Sequence, residues 1–333
     1  MRNLVVGAAL TAALAFIPLP ARAEMSEIAV AQQYGISYLP LMLMEEQKLI
    51  EKYAKAAGVD VNVKWAKFAG GNVMNDALLS GSLQFASGGV GPLITIWAKT
   101  KGNLDVKGVA SLNSMPLYLN TRNPNVKTIK DFTDKDRIAL PAVKVSIQAV
   151  TLQMAAEKAF GEGQQGKLDP LTVTMSHPDG QTALLSGKSE ITAHFSSPPF
   201  QYQQLERPGI HTVLNSFDVL GGPATFNCIW TTAKFRNENP KLYDAFLKGL
   251  DDAIAQINKD KKAAAEAYLR ISKDKDTVAD ILAMLNDPQI RYTTVPLNVM
   301  AYASFMTKIG MIKVKPDSWK DIFFPNLHGV AGS

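Results

Sequence analysis

Residues 77–86 read Ala-Leu-Leu-Ser-Gly-Ser-Leu-Gln-Phe-Ala, and residues 183–193 read Ala-Leu-Leu-Ser-Gly-Lys-Ser-Glu-Ile-Thr-Ala. Each stretch reads as the end of a short helix stopped by glycine, the residue that best tolerates a left-handed backbone. Each then becomes strand-like and enters a loop of small residues, Ser87-Gly-Gly-Val-Gly-Pro92 in one case and His194-Phe-Ser-Ser-Pro-Pro199 in the other. The chain therefore holds two similar α/β units about 106 positions apart.

The rest of the pattern agrees with two such units. Short apolar runs alternate with helical periodicity, the mark of an α/β protein. Strands are expected at 27–32, 59–68, 83–87, 106–112, 117–121, 137–140, 171–175, 190–195, 210–214 and 225–231. Helices are expected at 39–57, 72–80, 92–101, 146–160 and 180–186. After residue 235 the strands are expected to stop. Asn239 followed by Pro240 predicts a helix start, and Leu242, Phe246, Leu250, Ile254 and Ile257 mark one face of a long helix. Further helices follow, closing at Trp319 to Phe324.

The first 23 residues predict export. Arg2 precedes an apolar run over 4–17, shorter than the roughly 20 residues a membrane-spanning helix needs. Ala21-Arg22-Ala23 then supplies a small-x-small cleavage site. Residue 24 is Glu, where a lipid-anchored protein would carry Cys, so the expected product is free and soluble in a periplasm. Net charge is +5 over 333 residues, and two of the basic residues lie in the expected signal segment. That mild balance gives no reason to expect a nucleic-acid partner. Cys228 is the single cysteine, so no intramolecular disulfide can form, and its apolar setting predicts a buried small hydrophobe.

In open α/β sheets the loops leaving the C-terminal strand ends form the ligand crevice. Helices starting there aim free backbone N–H groups at a ligand and favour an anion. Four segments fit this position. The first is 33–38, with Tyr34, Ser37 and Tyr38; the second is 70–72, with Gly71 and Asn72. The third holds Ser87, Gly88, Gly89 and Val90, and the fourth is 142–148, with Lys144, Ser146, Ile147 and Gln148. Ser146 is the expected N-cap of the following helix. Phe195, Ser196 and Phe226 join these as candidates, alongside His177 and His194, each at the end of an expected strand. For both histidines a structural role and a ligand contact stay open. No third His or Cys is spaced to complete a metal site. A Gly-x-Ser-x-Gly elbow, a His-Glu-x-x-His helix and a Walker loop are all lacking, so no cofactor and no catalysis are expected.

The start Tyr-Gly-Ile-Ser-Tyr-Leu-Pro-Leu at 34–41, the doubled Ala-Leu-Leu-Ser-Gly, the Pro-Pro at 198–199 and the helical C-terminus together resemble the nitrate, sulfonate and taurine group of ABC-importer substrate-binding proteins. The resemblance implies a two-lobed α/β type II periplasmic-binding-protein fold with two crossing segments and C-terminal helices that return to the first lobe. It places lobe 1 at 24–116 and 223–333, lobe 2 at 117–222, and the crossings near 114–119 and 221–226. It further implies a monomer that captures a small organic anion by hinge closure and hands it to a permease and ATPase. The expected cargo is a sulfonate or carboxylate, aromatic or aliphatic, with nitrate, a pyrimidine and a neutral aromatic as the alternatives. A binding protein that reports to a membrane sensor is the alternative role. The fold also serves a thiamin-pyrimidine-making family, against which the signal segment argues.

Overall fold

The structure is a computed structural model that describes residues 23–333. The expected signal segment therefore lies outside the described residues, Ala23 excepted. Ten strands fall where the sequence pattern puts them: β1 (Glu27–Gln32), β2 (Asn62–Lys67), β3 (Ala86–Gly89), β4 (Lys107–Ser111), then, after the two-residue β5 (Asn113–Ser114), β6 (Tyr118–Thr121), β7 (Ile138–Leu140), β8 (Thr172–Thr174), β9 (Ala193–Phe195), β10 (His211–Asn215) and β11 (Asn227–Thr231). A last two-residue strand, β12 (Arg291–Tyr292), corrects the expectation that strands stop after 235.

Ten of these strands build two sheets of matching order. One runs β10-β6-β9-β7-β8. In the other, β3-β11-β4 meets the β1-β2 pair through a parallel bridge between Val30 and Phe85. Its order is thus β2-β1-β3-β11-β4, against β8-β7-β9-β6-β10. In each sheet the fourth strand is the antiparallel one, β11 or β6. That strand is also the first the chain makes after passing from the other sheet. The repeated Ala-Leu-Leu-Ser-Gly is the local basis of this symmetry. It ends the helices Gly71–Leu79 and His177–Ser186, and the glycines that follow, Gly81 and Gly187, take φ of 79° and 65°. An L side chain disfavours that region, which is why glycine marks both stops.

The chain passes between the sheets twice, after β4 and after β10, and the two passages run side by side. Ser114 bridges Thr225, the Phe226 amide donates to the Asn113 carbonyl at 3.1 Å, and β5 pairs with β12.

The C-terminal helices cover the first sheet. Helix Pro240–Lys259 buries Leu242, Phe246, Leu250 and Ile257, spaced to share one face. Phe246 stacks on Phe85 with ring centroids 4.0 Å apart, a burial worth roughly 1.5–3 kcal/mol. At Gly249 a Cβ would lie 3.3 Å from Leu49 Cβ, so the helix packs closely on Leu49–Ala56. Near the end of the chain, Phe323 fills the space beside Gly108, where a Cβ would come within 2.3 Å of its ring.

Two helix expectations need correction. The stretch 39–57 is two helices, Leu39–Glu46 and Leu49–Ala56, divided at Lys48, whose φ of 50° breaks the helical backbone. The helix expected from 180 starts at His177, because Ser176 caps it and Pro178 is tolerated in a first turn. His177 is therefore a helix-opening residue, not the end of a strand.

Candidate functional site

Between the two sheets lies a cavity of about 20 Å³, a little more room than one water molecule requires. Gln33, Tyr38, Gly71, Gly89, Pro92, Phe226 and Asn227 line it from the first sheet's side. Pro141, Ser146, Ile147, Gln148 and His177 line it from the second.

The walls are in contact, and glycine makes that possible. A Cβ on Gly89 would sit 2.5 Å from Ile147 Cγ2, one on Gly91 3.0 Å from the Val145 carbonyl, and one on Gly70 3.2 Å from the Pro141 carbonyl. At Gly35 the Pro198 carbonyl would be 2.7 Å away. Gly35 and Gly70 lie in loops of the first sheet, Gly89 ends β3 and Gly91 lies in the first turn of helix Val90–Thr100, while the neighbours lie in loops of the second sheet or, for Ile147, at the start of helix Ile147–Phe160. Glycine at these strand and helix ends lets the two walls of the cavity approach this closely.

Four helices begin at this cavity: Gly71–Leu79, Val90–Thr100, Ile147–Phe160 and His177–Ser186. Their first-turn N–H groups lack helical partners, and their dipoles place partial positive charge there. Ser146 Oγ satisfies one of these donors, the Ala149 amide, at 3.2 Å. Among the described residues no charged side chain lines the cavity. An anion there would be held by N–H dipoles, with no formal counter-charge.

Behind the His177 wall runs a buried polar chain. His177 Nδ1 lies 3.1 Å from His194 Nε2, and His194 Nδ1 lies 2.7 Å from Gln204 Nε2. Phe200 stacks on His177 at 5.8 Å between centroids. Burial holds both imidazoles neutral, lowering His177 to about 3 and His194 well below the usual histidine range. Gly180 leaves space for the pair, since a Cβ there would lie 2.9 Å from His194 Nε2.

Of the residues singled out from sequence, Tyr38, Gly71, Gly89, Ser146, Ile147, Gln148, His177 and Phe226 meet at the cavity. The others do not line it. Ser37 braces the passages between sheets, its carbonyl accepting from Asn113 Nδ2 at 2.7 Å and its hydroxyl from Asn227 Nδ2 at 3.0 Å. The Ser87 hydroxyl donates to the Ala31 carbonyl at 2.6 Å. Gly88 packs against Gln33 and Trp230, and Val90 and Phe195 are core residues. Ser196 is buried beside β6, its amide donating to the Tyr118 carbonyl. Tyr34 and Asn72 are half-buried outside the cavity, with Lys67 6.0 Å over the Tyr34 ring. Lys144 is exposed, and His194 stands behind His177. Pro141 and Asn227 were not singled out. Neither had a distinguishing signal, since one follows a strand like many prolines and the other opens a buried strand. Gln33 was visible only as the start of its loop.

Cys228 is fully buried, and desolvation raises its thiol far above the usual range, so it offers no nucleophile. Among the described residues no group of three or more His, Cys, Asp or Glu is placed to hold a metal ion. No helix among them is long and apolar enough to cross a membrane.

No family model matches the chain, and no curated protein matches it by sequence. Solved structures match it by shape. It is similar to the alkanesulfonate-binding protein SsuA from Xanthomonas axonopodis pv. citri bound to MOPS, with a TM-score of 0.68 and 17% identity over 90% of this chain and 97% of that one. The periplasmic aliphatic sulphonate binding protein SsuA from Escherichia coli gives 0.64 and 18%, over 91% and 99%. The periplasmic nitrate-binding protein NrtA from Synechocystis PCC 6803 gives 0.68 and 15%, over 90% and 85%. With two sheets of matching order, two passages between them and a helical return to the first, the chain has the two-lobed type II fold of these periplasmic binding proteins.

Proposed function

We propose that this chain is the periplasmic solute-binding component of an ABC importer. It captures a small organic anion, a sulfonate or carboxylate, between its lobes and delivers it to a membrane permease and its ATPase. The observation that carries this reading is the cavity itself. Loops of both sheets wall it, four helices start at it, and no charged side chain among the described residues enters it. Such a site holds an anion through N–H donors, as helix N-termini do elsewhere. Asn227 Oδ1, fully buried at the same cavity and without a hydrogen-bond partner, is an acceptor, so beside an anionic head it would take its donor from a bridging water.

In this reading the lobes are 24–116 with 223–333, and 117–222, hinged at the paired passages. The ligand docks on the first lobe near Tyr38, Gly71 and Gly89, and the second lobe closes over it with Ser146, Gln148 and His177. The protein acts as a monomer without catalysis, exported by cleavage after residue 23 and not lipid-anchored.

A thermal-shift panel of alkyl and aryl sulfonates, taurine, nitrate, carboxylates and thiamin pyrimidines tests it, on protein unfolded and refolded to remove carried ligand. A true ligand at 100 times its dissociation constant adds roughly 2.7 kcal/mol. That moves the midpoint by several degrees, at roughly 2–4 °C per kcal/mol for a protein of this size. A shift confined to small oxyanions is the expected result. A panel in which only cations or uncharged compounds shift the protein would remove the anion reading.

A further inference from the structure

The buried chain behind His177 has a direction, and a backbone carbonyl sets it. Asn120 Nδ2 faces the Gln201 carbonyl at 2.9 Å, and a carbonyl only accepts. The Asn120 amide is thereby oriented, and its Oδ1 accepts from the Thr212 hydroxyl at 2.7 Å. The same Nδ2 also donates to Gln204 Oε1 at 3.1 Å, which leaves Gln204 Nε2 as the atom facing His194 Nδ1 at 2.7 Å. A proton on His194 Nδ1 would set two donors against each other, so the His194 proton sits on Nε2. His194 Nε2–H then donates to His177 Nδ1 across 3.1 Å. The His177 proton is therefore on Nε2, at the cavity.

One further contact completes the chain. His177 Nε2 stands 3.3 Å from the side-chain amide of Gln148, which also lines the cavity. A Gln148 amide nitrogen facing the His177 N–H would again set two donors against each other, so the amide oxygen faces His177 and accepts from it. The Gln148 N–H₂ is left for the ligand, and the chain ends in an N–H donor at the cavity.

We propose that Asn120, Gln204 and His194 form a fixed-direction hydrogen-bond relay that forces an N–H donor onto the second lobe's wall, so that the site selects an oxyanion acceptor there and rejects cations. Gln204 and His194 are positioning residues in this scheme, and they touch no ligand. The oxyanion part rests on the reading of the cavity as a ligand site, and the direction of the relay does not.

Imidazole ¹⁵N NMR of the labelled, ligand-free protein reads the tautomers directly. Protons on Nε2 of both His177 and His194 are expected. A proton on Nδ1 of either would overturn the relay, whatever the protein binds. Titration with methanesulfonate, acetate and nitrate reads the consequence. His194→Gln keeps an N–H donor at the position of the imidazole Nε2 and should bind within about threefold of wild type. His194→Leu and Gln204→Met should each lose roughly tenfold or more, the range of a hydrogen bond to a charged acceptor. Equal affinities for His194→Leu and wild type would remove the positioning role. If the tautomers are as expected but none of the three anions binds the wild type, the oxyanion assignment fails and the relay stands.

Discussion

Replacing Gly89 with alanine places a wedge in the closed cleft without straining the lobe that carries it. Gly89 has φ of −64° and ψ of 160°, backbone any residue adopts, and it pairs with Asn227 in an antiparallel ladder that accepts alanine. The obstacle lies wholly across the cleft: the new Cβ would stand 2.5 Å from Ile147 Cγ2 and 2.7 Å from its Cβ. Carbon atoms in contact settle about 3.5–4.0 Å apart, so the lobes must separate there by roughly 1 Å or Ile147 must leave its rotamer. Overpacking of this kind costs about 1–3 kcal/mol. Because the cost falls on the closed form, it should appear as roughly 5- to 150-fold weaker affinity. Titration calorimetry with the compound selected by the thermal-shift panel measures it, and circular dichroism checks that the lobes stay folded. Affinity equal to wild type, with the fold intact, would refute closure of these loops as the binding step. Gly35 is a poorer probe, because its φ of 100° would add backbone strain to any clash.

Other expectations follow from the same structure. Gly180→Ala drives a Cβ into the His194 ring, 2.9 Å from Nε2, so it should lower the melting midpoint by several degrees and disturb the His177 imidazole signals. Burial lowers His177 to about 3, while the unfolded chain protonates near 6.5, so its contribution to stability is full above about pH 6.5 and is lost progressively as pH falls toward 3. Chemical denaturation from pH 7 to 4 should show that decline, and a His177→Gln variant should show a shallower one. Gln203 Nε2 reaches Asp274 Oδ1 at 3.1 Å and Asp276 Oδ2 at 2.8 Å, tying the second lobe to the C-terminal helices. Gln203→Ala should weaken ligand affinity by roughly 5- to 150-fold, for about 0.5–1.5 kcal/mol for each of the two hydrogen bonds.

The fold was legible because its local signals are strong. Glycine stops, buried β-branched runs and capping serines are properties of neighbouring residues, so ten strands and the repeated unit could be read from one sequence. What depends on long-range packing was harder to see. Nothing near Lys48 announces the backbone break that divides the first long helix, and Pro178 masked the true start at His177. At the candidate site, the glycine loops pointed to the region where the cavity lies, since close approach needs glycine wherever the partner comes from. Side-chain direction within a loop was not readable. Tyr38 reaches the cavity and Tyr34 does not; Gly89 faces it, while Ser87 turns back to the Ala31 carbonyl. Asn227 lies about 190 positions from Ser37, the residue it bonds, and no local pattern records that meeting.

The central claim is that one ligand is held from both lobes at once. Amide ¹H–¹⁵N mapping during titration with the thermal-shift hit tests this most directly. The account predicts that Gly71 and Gly89 on one side, and Ile147 and Gln148 on the other, move together and saturate at the same ligand concentration. Perturbation confined to one lobe, or centred away from these four amides, would contradict it.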